Sequence, residues 1–464
     1  MGELPHIIPE FARAIAKAGG RALLVGGCVR DRFLGADSED HDLEVFGLDL
    51  DTLESTLAAF GKVITVGRSF GVLMVQGHEI DFSVPRQDNK IGRTHKDFRC
   101  EFDPNMSFEE AARRRDLTIN SMGLDPLTEE LFDPHGGQGD LREKRLRATD
   151  VQTFPEDPLR ALRVAQFLAR FEFEPDAELH TLCSQSDLLE LPGERLWGEL
   201  KKLLLLSPRP SLGLDFLRTT DLLRFFPELK SMVGVPQDAT WHPEGPVWDH
   251  TLMVVDEAAK LRTDDEQEDL LLMYGALCHD LGKPLTTFTD EEGRVRSPNH
   301  SDKGVPPTES FLERLRAPHQ FVDRVCALVR HHLAPALLTQ PEVTPRAYRR
   351  LARRLGEAGV SMLQLERVAR ADHLGRTTPE ALAREYAAGP KFLAESARLQ
   401  IEMEPEPAVV QGRHLLERGL QAGPHFALIL ERCREIQEET GSRTPGVVLT
   451  RYEADFGALQ DTPG

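Results

Sequence analysis

The pattern of hydrophobic and polar residues changes along the chain and predicts two kinds of structure. In the first third, short β-branched runs bounded by glycine or aspartate predict strands: "ALLVGG", "DLEVFG", "KVITVG", "GVLMVQG" and "EIDFSV". After about residue 150, apolar residues recur at spacings of three and four, which predicts helices, as in "DPLRALRVAQFLARF" and "RLWGELKKLLLL". We therefore expect an α+β protein, with a head built on a mixed β-sheet with helices and all-α domains after it.

Breaks in the pattern predict the domain organisation. The loop "VGVPQDATWHPEGPVWDH" marks a boundary near residue 240, and a histidine-rich helical block follows it to about residue 375. A chain of 464 residues is too long for one ordinary core. The predicted domains are 1–150, 151–238, 239–376 and 377–464.

Composition narrows the class of protein. Hydrophobic residues make up 40% and charged residues 28%, and no apolar run is long enough to cross a bilayer, so no membrane partner is expected. Six cysteines without a CxxC pair indicate reduced thiols and a cytoplasmic location. The net charge of −20 argues against non-specific coating of nucleic acid. It does not exclude a nucleic-acid substrate, because local basic surface matters more than the total charge.

The stretch "VGGCVRDRFLGADSEDHDLEVFG" (25–47) carries the first candidate chemistry. If 40–45 is a strand, Asp40 and Asp42 project to the same side, and Mg²⁺ is suited to two neighbouring carboxylates. Asp81 on a neighbouring strand would complete a two-metal arrangement. The Gly26-Gly27 turn would let backbone N–H groups approach a triphosphate, and Arg30 would add a charged contact. A tight turn before an acidic surface strand is the simpler alternative for the carboxylates alone.

This stretch resembles the signature of class II tRNA nucleotidyltransferases, the CCA-adding enzymes, and of the related bacterial poly(A) polymerases. Further motifs follow in the family's order over roughly residues 20–210: "RRRDLTINSM", "LFDPHGGQGDLREKRLRAT", "FPEDPLRALRVAQFLARFEF" and "LPGERLWGELKKLLL". The resemblance implies a nucleotidyltransferase-type head on 1–150 and a helical neck on 151–238.

The resemblance also implies residue roles. Asp40 and Asp42 would bind catalytic Mg²⁺. The residues near the incoming nucleotide would be Arg115, Asp116, Asn120, Asp157, Arg160 and Arg163, of which Asp157 and Arg160 would read the base. Asp157 only accepts and Arg160 only donates hydrogen bonds, and at i, i+3 of one helix they would share a face. A surface salt bridge is the alternative for this pair.

The chain departs from the family pattern at two places. Gln166 replaces the usual arginine, and Ala111-Ala112 stand where Glu-Asp-Leu usually precedes the arginines. The polar stretch 86–110 is long enough for the flexible loop with which family members switch from C to A addition. Its length favours full CCA addition, and CC-only addition, A-only addition and poly(A) synthesis remain alternatives.

The histidine-rich block carries a second candidate site. The doublet "HD" in "ALCHDLGKP" resembles the HD phosphohydrolase superfamily, whose metal ligands would be His250, His279, Asp280 and Asp372. Imidazole and carboxylate ligands suit Ni²⁺, Mn²⁺, Fe²⁺ or Mg²⁺. The candidates for a second metal or for phosphate binding are Lys283, His300 and His331, with Lys283 on the helical face of His279 if that helix continues. A degenerate domain kept for packing is the alternative.

Together these features predict an enzyme that adds CCA to tRNA from CTP and ATP and releases pyrophosphate. The HD resemblance implies phosphatase or cyclic-phosphodiesterase activity toward RNA ends. Two alternatives belong to other classes: a phosphohydrolase with a vestigial transferase, and an RNA-binding protein in which both sites are inert.

Overall fold

The computed structural model describes residues 4–36, 40–66, 71–90, 98–263 and 265–459. The chain divides into two compact units, Met1–Phe225 and Phe226–Gly464. Among the described residues, the first unit combines a mixed sheet with helices and the second is almost entirely helical. The predicted α+β class, with a sheet-containing head before helical domains, is confirmed.

The first unit is built on one mixed sheet and two small strand pairs. Its strands are β1 (Arg21–Val25), β2 (His41–Phe46), β3 (Val63–Val66), β4 (Val72–Val75), β5 (Ile80–Ser83), β6 (Arg86–Lys90), β7 (Phe98–Phe102), β8 (Gly123–Leu124), β9 (Leu131–Phe132), β10 (Arg145–Leu146) and β11 (Glu174–Pro175). The main sheet has the order β3-β4-β5-β2-β1-β8-β9. In it β2 and β5 run parallel and the other neighbours antiparallel.

The described helices of this unit lie before, between and after its strands along the chain. They are α1 (Ile7–Lys17), α2 (Gly27–Leu34), α3 (Leu50–Leu57), α4 (Phe108–Arg113), α5 (Gly137–Glu143), α6 (Leu159–Phe171), α7 (Ala177–Ser184), α8 (Gly193–Leu206) and α9 (Pro210–Thr219). Phe11 of α1 is fully buried against Phe82 of β5. Burial of such an aromatic side chain contributes roughly 1.5–3 kcal/mol.

The polar stretch 86–110 is more regular than its sequence indicates. Strands β6 and β7 pair antiparallel in it, and α4 begins after Ser107, whose side chain forms a capping box with Glu110. Residues 91–97, at the centre of the expected flexible loop, lie outside the described residues.

The second unit consists mainly of helices with one short hairpin, β12 (Phe288–Thr289) and β13 (Val295–Arg296). Its helices are α10 (Pro227–Lys230), α11 (Val247–Lys260), α12 (Glu266–Cys278), α13 (Lys283–Thr286), α14 (His300–Lys303), α15 (Val305–Arg314), α16 (His319–His331), α17 (Ala334–Leu338), α18 (Pro345–Glu357), α19 (Met362–Leu374), α20 (Pro379–Leu382), α21 (Ala388–Arg398), α22 (Gly412–Glu417), α23 (His425–Thr440) and α24 (Pro445–Phe456). Helix α12 packs against α11, α16 and α19, which brings the histidine-bearing segments together. None of the described helices is long and apolar enough to cross a bilayer.

Candidate functional sites

Three aspartates meet at the edge where β2 and β5 begin. Asp42 in β2 is in register with Asp81 in β5, and Asp40 lies two residues before Asp42. Desolvation raises the pKa of Asp42, and the nearby Asp81 and Asp40 raise it further, although Arg115 opposes them. Desolvation and Asp40 likewise raise the pKa of Asp81. Three repelling carboxylates are a donor set that fits divalent cations with a preference for oxygen, such as Mg²⁺.

Gly26 connects this acidic cluster to the start of α2. It follows β1 with φ 78° and ψ −137°, a conformation that L side chains rarely adopt. A Cβ atom at this position would lie 3.1 Å from Nη1 of Arg115 and 3.4 Å from Oδ2 of Asp42. The glycine therefore allows the backbone, an arginine and a catalytic carboxylate candidate to approach one another closely.

Glu44 is a site residue that the sequence interpretation missed. Its side chain is 0% exposed, and it accepts hydrogen bonds from Arg114 (2.8 Å) and Arg115 (3.2 Å). Burial alone would raise the pKa of Glu44, but Arg115 and Arg114 together hold it below its ordinary value. The strand alternation that places Asp40 and Asp42 on one side places Glu44 there too, so this signal was present in the sequence.

A chain of hydrogen bonds links the next four candidates. Nε of Arg163 donates to Asp116 (2.6 Å), Asn120 donates to Asp116 (3.0 Å), and Arg30 donates to Asn120 (2.6 Å). Burial would raise the pKa of Asp116, but Arg163 and hydrogen bonds lower it to about 2. Arg30 is itself buried and paired with Asp31, so its described contacts position Asn120.

Asp157 and Arg160 border the same cleft but do not share a helix face. The prediction of an i, i+3 pair on one helix is wrong, because Asp157 lies before Pro158 and α6 begins only at Leu159. Asp157 accepts from Nη2 of Arg195 (2.8 Å). Arg160 donates through its two Nη atoms to the carbonyl oxygens of Thr153 and Arg114. Both side chains are therefore fixed by their neighbours.

These residues line one cleft of about 830 Å³. Its lining includes Gly26, Gly27, Arg30, Asp40, Asp42, Arg115, Asp116, Asn120, Asp157, Arg160, Arg163 and Gln166. Gln166, at the position where the family pattern has arginine, is 2% exposed. Its amide nitrogen has no hydrogen-bond partner among the described residues. Such a volume is typical of a site for a nucleotide-sized ligand.

Besides a group formed by His242, Glu244 and His250, six ligand candidates form two adjacent groups in the described part of the second unit. The first group contains His250 of α11, His279 after α12 and Asp372 of α19, with ligand atoms all within 4.8 Å of one another. In it Nε2 of His250 lies 3.1 Å from Oδ1 of Asp372. The second group, equally compact, contains Asp280, His300 and His332. Asp280 connects the two groups, since its Oδ2 lies 3.2 Å from Nε2 of His279.

The histidines are oriented as metal ligands usually are. Nδ1 of His279 lies 2.7 Å from the carbonyl oxygen of Ala276, and His300 and His332 make equivalent contacts. A proton on Nδ1 leaves Nε2 free to bind a metal. Nε2 of His279 is buried and has no hydrogen-bond partner within the described part of the chain. This orphaned atom, surrounded by carboxylates and imidazoles, fits a divalent metal.

The prediction that His331 belongs to this centre is wrong, and the neighbouring residue His332 lies there instead. Helix α16 ends at His331, and His332 follows as its buried C-terminal cap. His331 instead lines a separate cavity of about 460 Å³ with Arg330 and Arg354. Desolvation and these arginines lower the pKa of His331 to about 4.

Lys283 lies near the histidine centre, as the sequence predicts, but it does not lie on the helix that the prediction assumes. Helix α12 does not continue past Cys278, so Lys283 is not on its face. Lys283 begins α13 instead, and its Nζ lies 2.6 Å from Oδ2 of Asp280.

Two further charged residues contact the predicted ligands. The sequence interpretation missed both of them. Glu244 lies 2.7 Å from Nδ1 of His250. Arg376 donates to both oxygens of Asp372 at 3.1 Å. Glu244 therefore fixes the orientation of a ligand histidine, and Arg376 that of a ligand carboxylate.

Comparisons with known proteins show which family the chain resembles. Family models match as follows: Poly A polymerase head domain over 22–147, Probable RNA and SrmB- binding site of polymerase A over 171–233, and HD domain over 247–375. A multifunctional CCA protein of Xanthomonas campestris is 35% identical over 421 residues, which cover 89% of this chain and 96% of that protein. The chain belongs to the family of multifunctional CCA proteins. A second relative, a multifunctional CCA protein of Vibrio parahaemolyticus, is 37% identical over 67% of this chain and 74% of that protein.

Solved structures support the family's fold in this chain. A CCA-adding enzyme of Bacillus stearothermophilus in complex with CTP superposes with a TM-score of 0.67 and 21% identity, over 96% of this chain and 97% of that one. A CCA-adding enzyme of Thermotoga maritima complexed with tRNA gives a TM-score of 0.58 and 18% identity, over 98% and 96%. Membership of the family confirms the resemblance stated from the sequence and the prediction of a nucleotidyltransferase. The two kinds of domain imply the use of divalent metal.

Proposed function

We propose that the cleft of the head adds CCA to tRNA 3′ ends from CTP and ATP. The observation that carries this proposal is the cluster of Asp40, Asp42 and Asp81 beside a cleft lined by Arg115 and Arg160. Curated relatives are named multifunctional CCA proteins, and structural neighbours include complexes with CTP, ATP and tRNA. These names favour CCA addition over poly(A) synthesis. The protein would meet tRNA in the cytoplasm.

The proposed reaction is an in-line displacement at the α-phosphorus. The 3′-hydroxyl of tRNA gives up its proton to solvent as its oxygen bonds to that phosphorus, the bond to the bridging oxygen breaks, and pyrophosphate leaves. Asp40, Asp42 and Asp81 would hold Mg²⁺, which supplies activation of the hydroxyl and neutralisation of the leaving group. Arg115, positioned by Glu44, would bind phosphate oxygens.

The base would be read by two immobilised side chains. Asp157 offers acceptors and Arg160 offers donors, and each is held by its own neighbours rather than by the other. Asp116 and Asn120 would contact the ribose and phosphates, with Arg163 and Arg30 keeping them in place. Pre-positioned groups of this kind lower the entropy cost of selecting a base. The proposal therefore needs no nucleic-acid template.

Incubation with single nucleotides tests this function. Transcripts of tRNA ending before CCA, at C and at CC are supplied with CTP, with ATP or with both. With CTP alone, wild type should extend the first two to CC. With ATP alone, it should add one A to the transcript ending at CC. With both nucleotides, every transcript should end at CCA. Asp42→Ala should abolish incorporation while tRNA binding is kept, and Asp51→Ala, on the exposed start of α3, should act as wild type. Full incorporation by Asp42→Ala would contradict the assignment. Chains that stop at CC or extend in A would indicate the partial enzyme or the poly(A) polymerase.

We propose in addition that the histidine centre hydrolyses phosphoesters at RNA ends. The two adjacent ligand groups support it, with His250, His279 and Asp372 for one divalent metal and Asp280, His300 and His332 for a second. Ni²⁺, Mn²⁺, Fe²⁺ and Mg²⁺ are the candidates. Water would add to phosphorus, the bond to the ribose oxygen would break, and that oxygen would take a proton. Removal of a 3′ phosphate or cyclic phosphate would free the hydroxyl that nucleotidyl transfer requires.

A pair of variants separates the two activities. His279→Ala should lose phosphate release and retain nucleotide addition, whereas Asp42→Ala should show the opposite. Phosphate release without any nucleotide addition by wild type would favour a phosphohydrolase with a vestigial transferase. Failure of the wild type to bind Mg²⁺ or Mn²⁺ would favour an inert RNA-binding protein. The boundaries 1–150, 151–238, 239–376 and 377–464 remain our proposal for the domains.

A further inference from the structure

A loop with an exposed tryptophan borders the histidine centre. Trp241 is 64% exposed, in the segment that precedes α11. A single exposed apolar side chain needs no special explanation. The position of Trp241 does need an explanation, because the chain segments before and after it contact residues of the histidine centre.

Hydrogen bonds fix the loop before and after Trp241. On one side, Oε1 of Gln237 accepts from Nζ of Lys283 (2.6 Å), the lysine that contacts Asp280. On the other side, Oε1 of Glu244 lies 2.7 Å from Nδ1 of His250, and Glu244 accepts a hydrogen bond from the backbone N–H of Thr377 (3.0 Å). The tryptophan therefore lies on a short segment whose ends are held at the ligands.

The side chain of the next residue, His242, makes a further contact with the histidine centre. The ring of His242 packs edge-on against that of His250, with 4.6 Å between their centroids, and His242 also bonds to Glu244 (2.9 Å). Residue 241 is thus one peptide unit from a side chain in direct contact with a predicted metal ligand.

A second exposed aromatic residue lies on the neighbouring hairpin. Phe288 of β12 is 51% exposed and pairs across the hairpin with Arg296. Hydrogen bonds from Thr240 lower the pKa of Asp238, and Arg296 and His242 add to this effect. The backbone N–H of Trp241 donates to the carbonyl oxygen of Asp238 (3.1 Å). The charge of Arg296 on the hairpin therefore acts on the loop at Asp238.

We propose that Trp241 is a stacking platform for the terminal base of an RNA 3′ end or nucleotide whose phosphate lies in the histidine centre. Bases stack on exposed aromatic side chains without sequence preference. Arg296, whose Nε donates to Asp290 (3.0 Å) and whose side chain is half-exposed, would add a cation for the preceding phosphate. The inference rests on the proposed hydrolysis and specifies its substrate class. The centre would thus prefer phosphoesters that carry a nucleobase over those that do not.

Two cyclic phosphates that differ in the base test this inference. The substrates are adenosine 2′,3′-cyclic monophosphate and the cyclic phosphate of ethylene glycol, which has the same five-membered ring and no base. Trp241→Ala should raise KM for the first by about 5- to 150-fold, the range expected when one base–aromatic stack is lost. The KM for the second, and kcat for both, should stay within about twofold of wild type.

Control variants and binding measurements make the result decisive. Trp241→Phe should recover most of the affinity, and Leu189→Ala, a truncation of another exposed apolar side chain in the other unit, should change nothing. Metal content and CCA addition should be unaffected in every variant. Equal KM changes for the two substrates, or no change for the adenosine substrate, would overturn the inference.

A titration separates failure of the tryptophan proposal from failure of the proposed hydrolysis. If wild type cleaves neither cyclic phosphate, the hydrolysis is refuted. In that case, calorimetric titration of the metal-loaded protein with adenosine 2′-monophosphate and with inorganic phosphate still tests whether Trp241 binds the base. Weaker nucleotide binding in Trp241→Ala, with phosphate binding unchanged, supports the platform, and identical binding in both proteins refutes it.

Discussion

Replacement of Gly26 by alanine tests how the head site is assembled. The backbone at this position, φ 78° and ψ −137°, is close to a region that only glycine adopts readily. An alanine held there should cost about 1–3 kcal/mol in the free energy of unfolding. Its Cβ would also press on Nη1 of Arg115 at 3.1 Å and approach Oδ2 of Asp42 at 3.4 Å.

The expected magnitudes can be measured directly. In a unit of this size, each kcal/mol lowers Tm by about 2–4 °C, so Gly26→Ala should melt about 2–12 °C below wild type. Because the displaced atoms belong to the proposed catalytic carboxylate and the proposed phosphate-binding arginine, kcat for CTP incorporation should fall about 10- to 100-fold. Scanning calorimetry gives the first value, and single-nucleotide extension of tRNA gives the second.

Two neighbouring glycines supply matched controls. At Gly27, inside α2, an added Cβ meets Nη2 of Arg30 only at 3.4 Å, so alanine should leave stability unchanged or raise it by up to about 1 kcal/mol. Gly35 has φ 72° with nothing within 4 Å of an added Cβ, so alanine there should cost about 1–2 kcal/mol without slowing incorporation. If Gly26→Ala matched Gly27→Ala in Tm and Gly35→Ala in rate, the close approach described for this turn would be refuted.

Three further predictions concern metal, pH and the buried carboxylate. His332→Ala should lower the metal content of the purified protein by mass spectrometry, whereas His331→Ala should leave it unchanged, and the reverse result would restore the sequence prediction. The pKa of Asp116 is about 2 against an ordinary 3.8, so it contributes about 2 kcal/mol of stability above pH 4. That stability should be lost in acid titrations from about pH 4 to pH 2, and Asp116→Asn should flatten this part of the profile. Glu44→Gln should destabilise the protein by about 3–5 kcal/mol in urea unfolding, because two arginines lose their buried partner, and wild-type stability would contradict that pairing.

Much of the head was predictable because strand alternation is a local property. The period of two predicts that Asp40 and Asp42 face one side whatever lies beside the strand, although β2 begins only at His41, one residue after Asp40. The same rule also placed Glu44 there, which the sequence interpretation did not use. It could not show that Arg114 and Arg115 neutralise Glu44, since they are 70 and 71 residues away along the chain.

Element ends were the weakest part of the sequence interpretation. Asp157 was placed inside α6, Lys283 on a continuation of α12, and His331 instead of His332 at the histidine centre. At a helix end, the local break in the backbone decides where a side chain points, and a single residue changes its direction by about 100°. Helical periodicity alone cannot supply that information.

The amino-acid sequence by itself determined the classes of element and the acidic and histidine motifs, because these depend on residue type and on local spacing. The tertiary structure decided which distant residues meet. The parallel pairing of β2 with β5 brings Asp81 beside Asp42, and the packing of α11, α12, α16 and α19 gathers the ligand candidates. Such contacts depend on how strands and helices select neighbours over long separations, and local sequence patterns do not encode that choice.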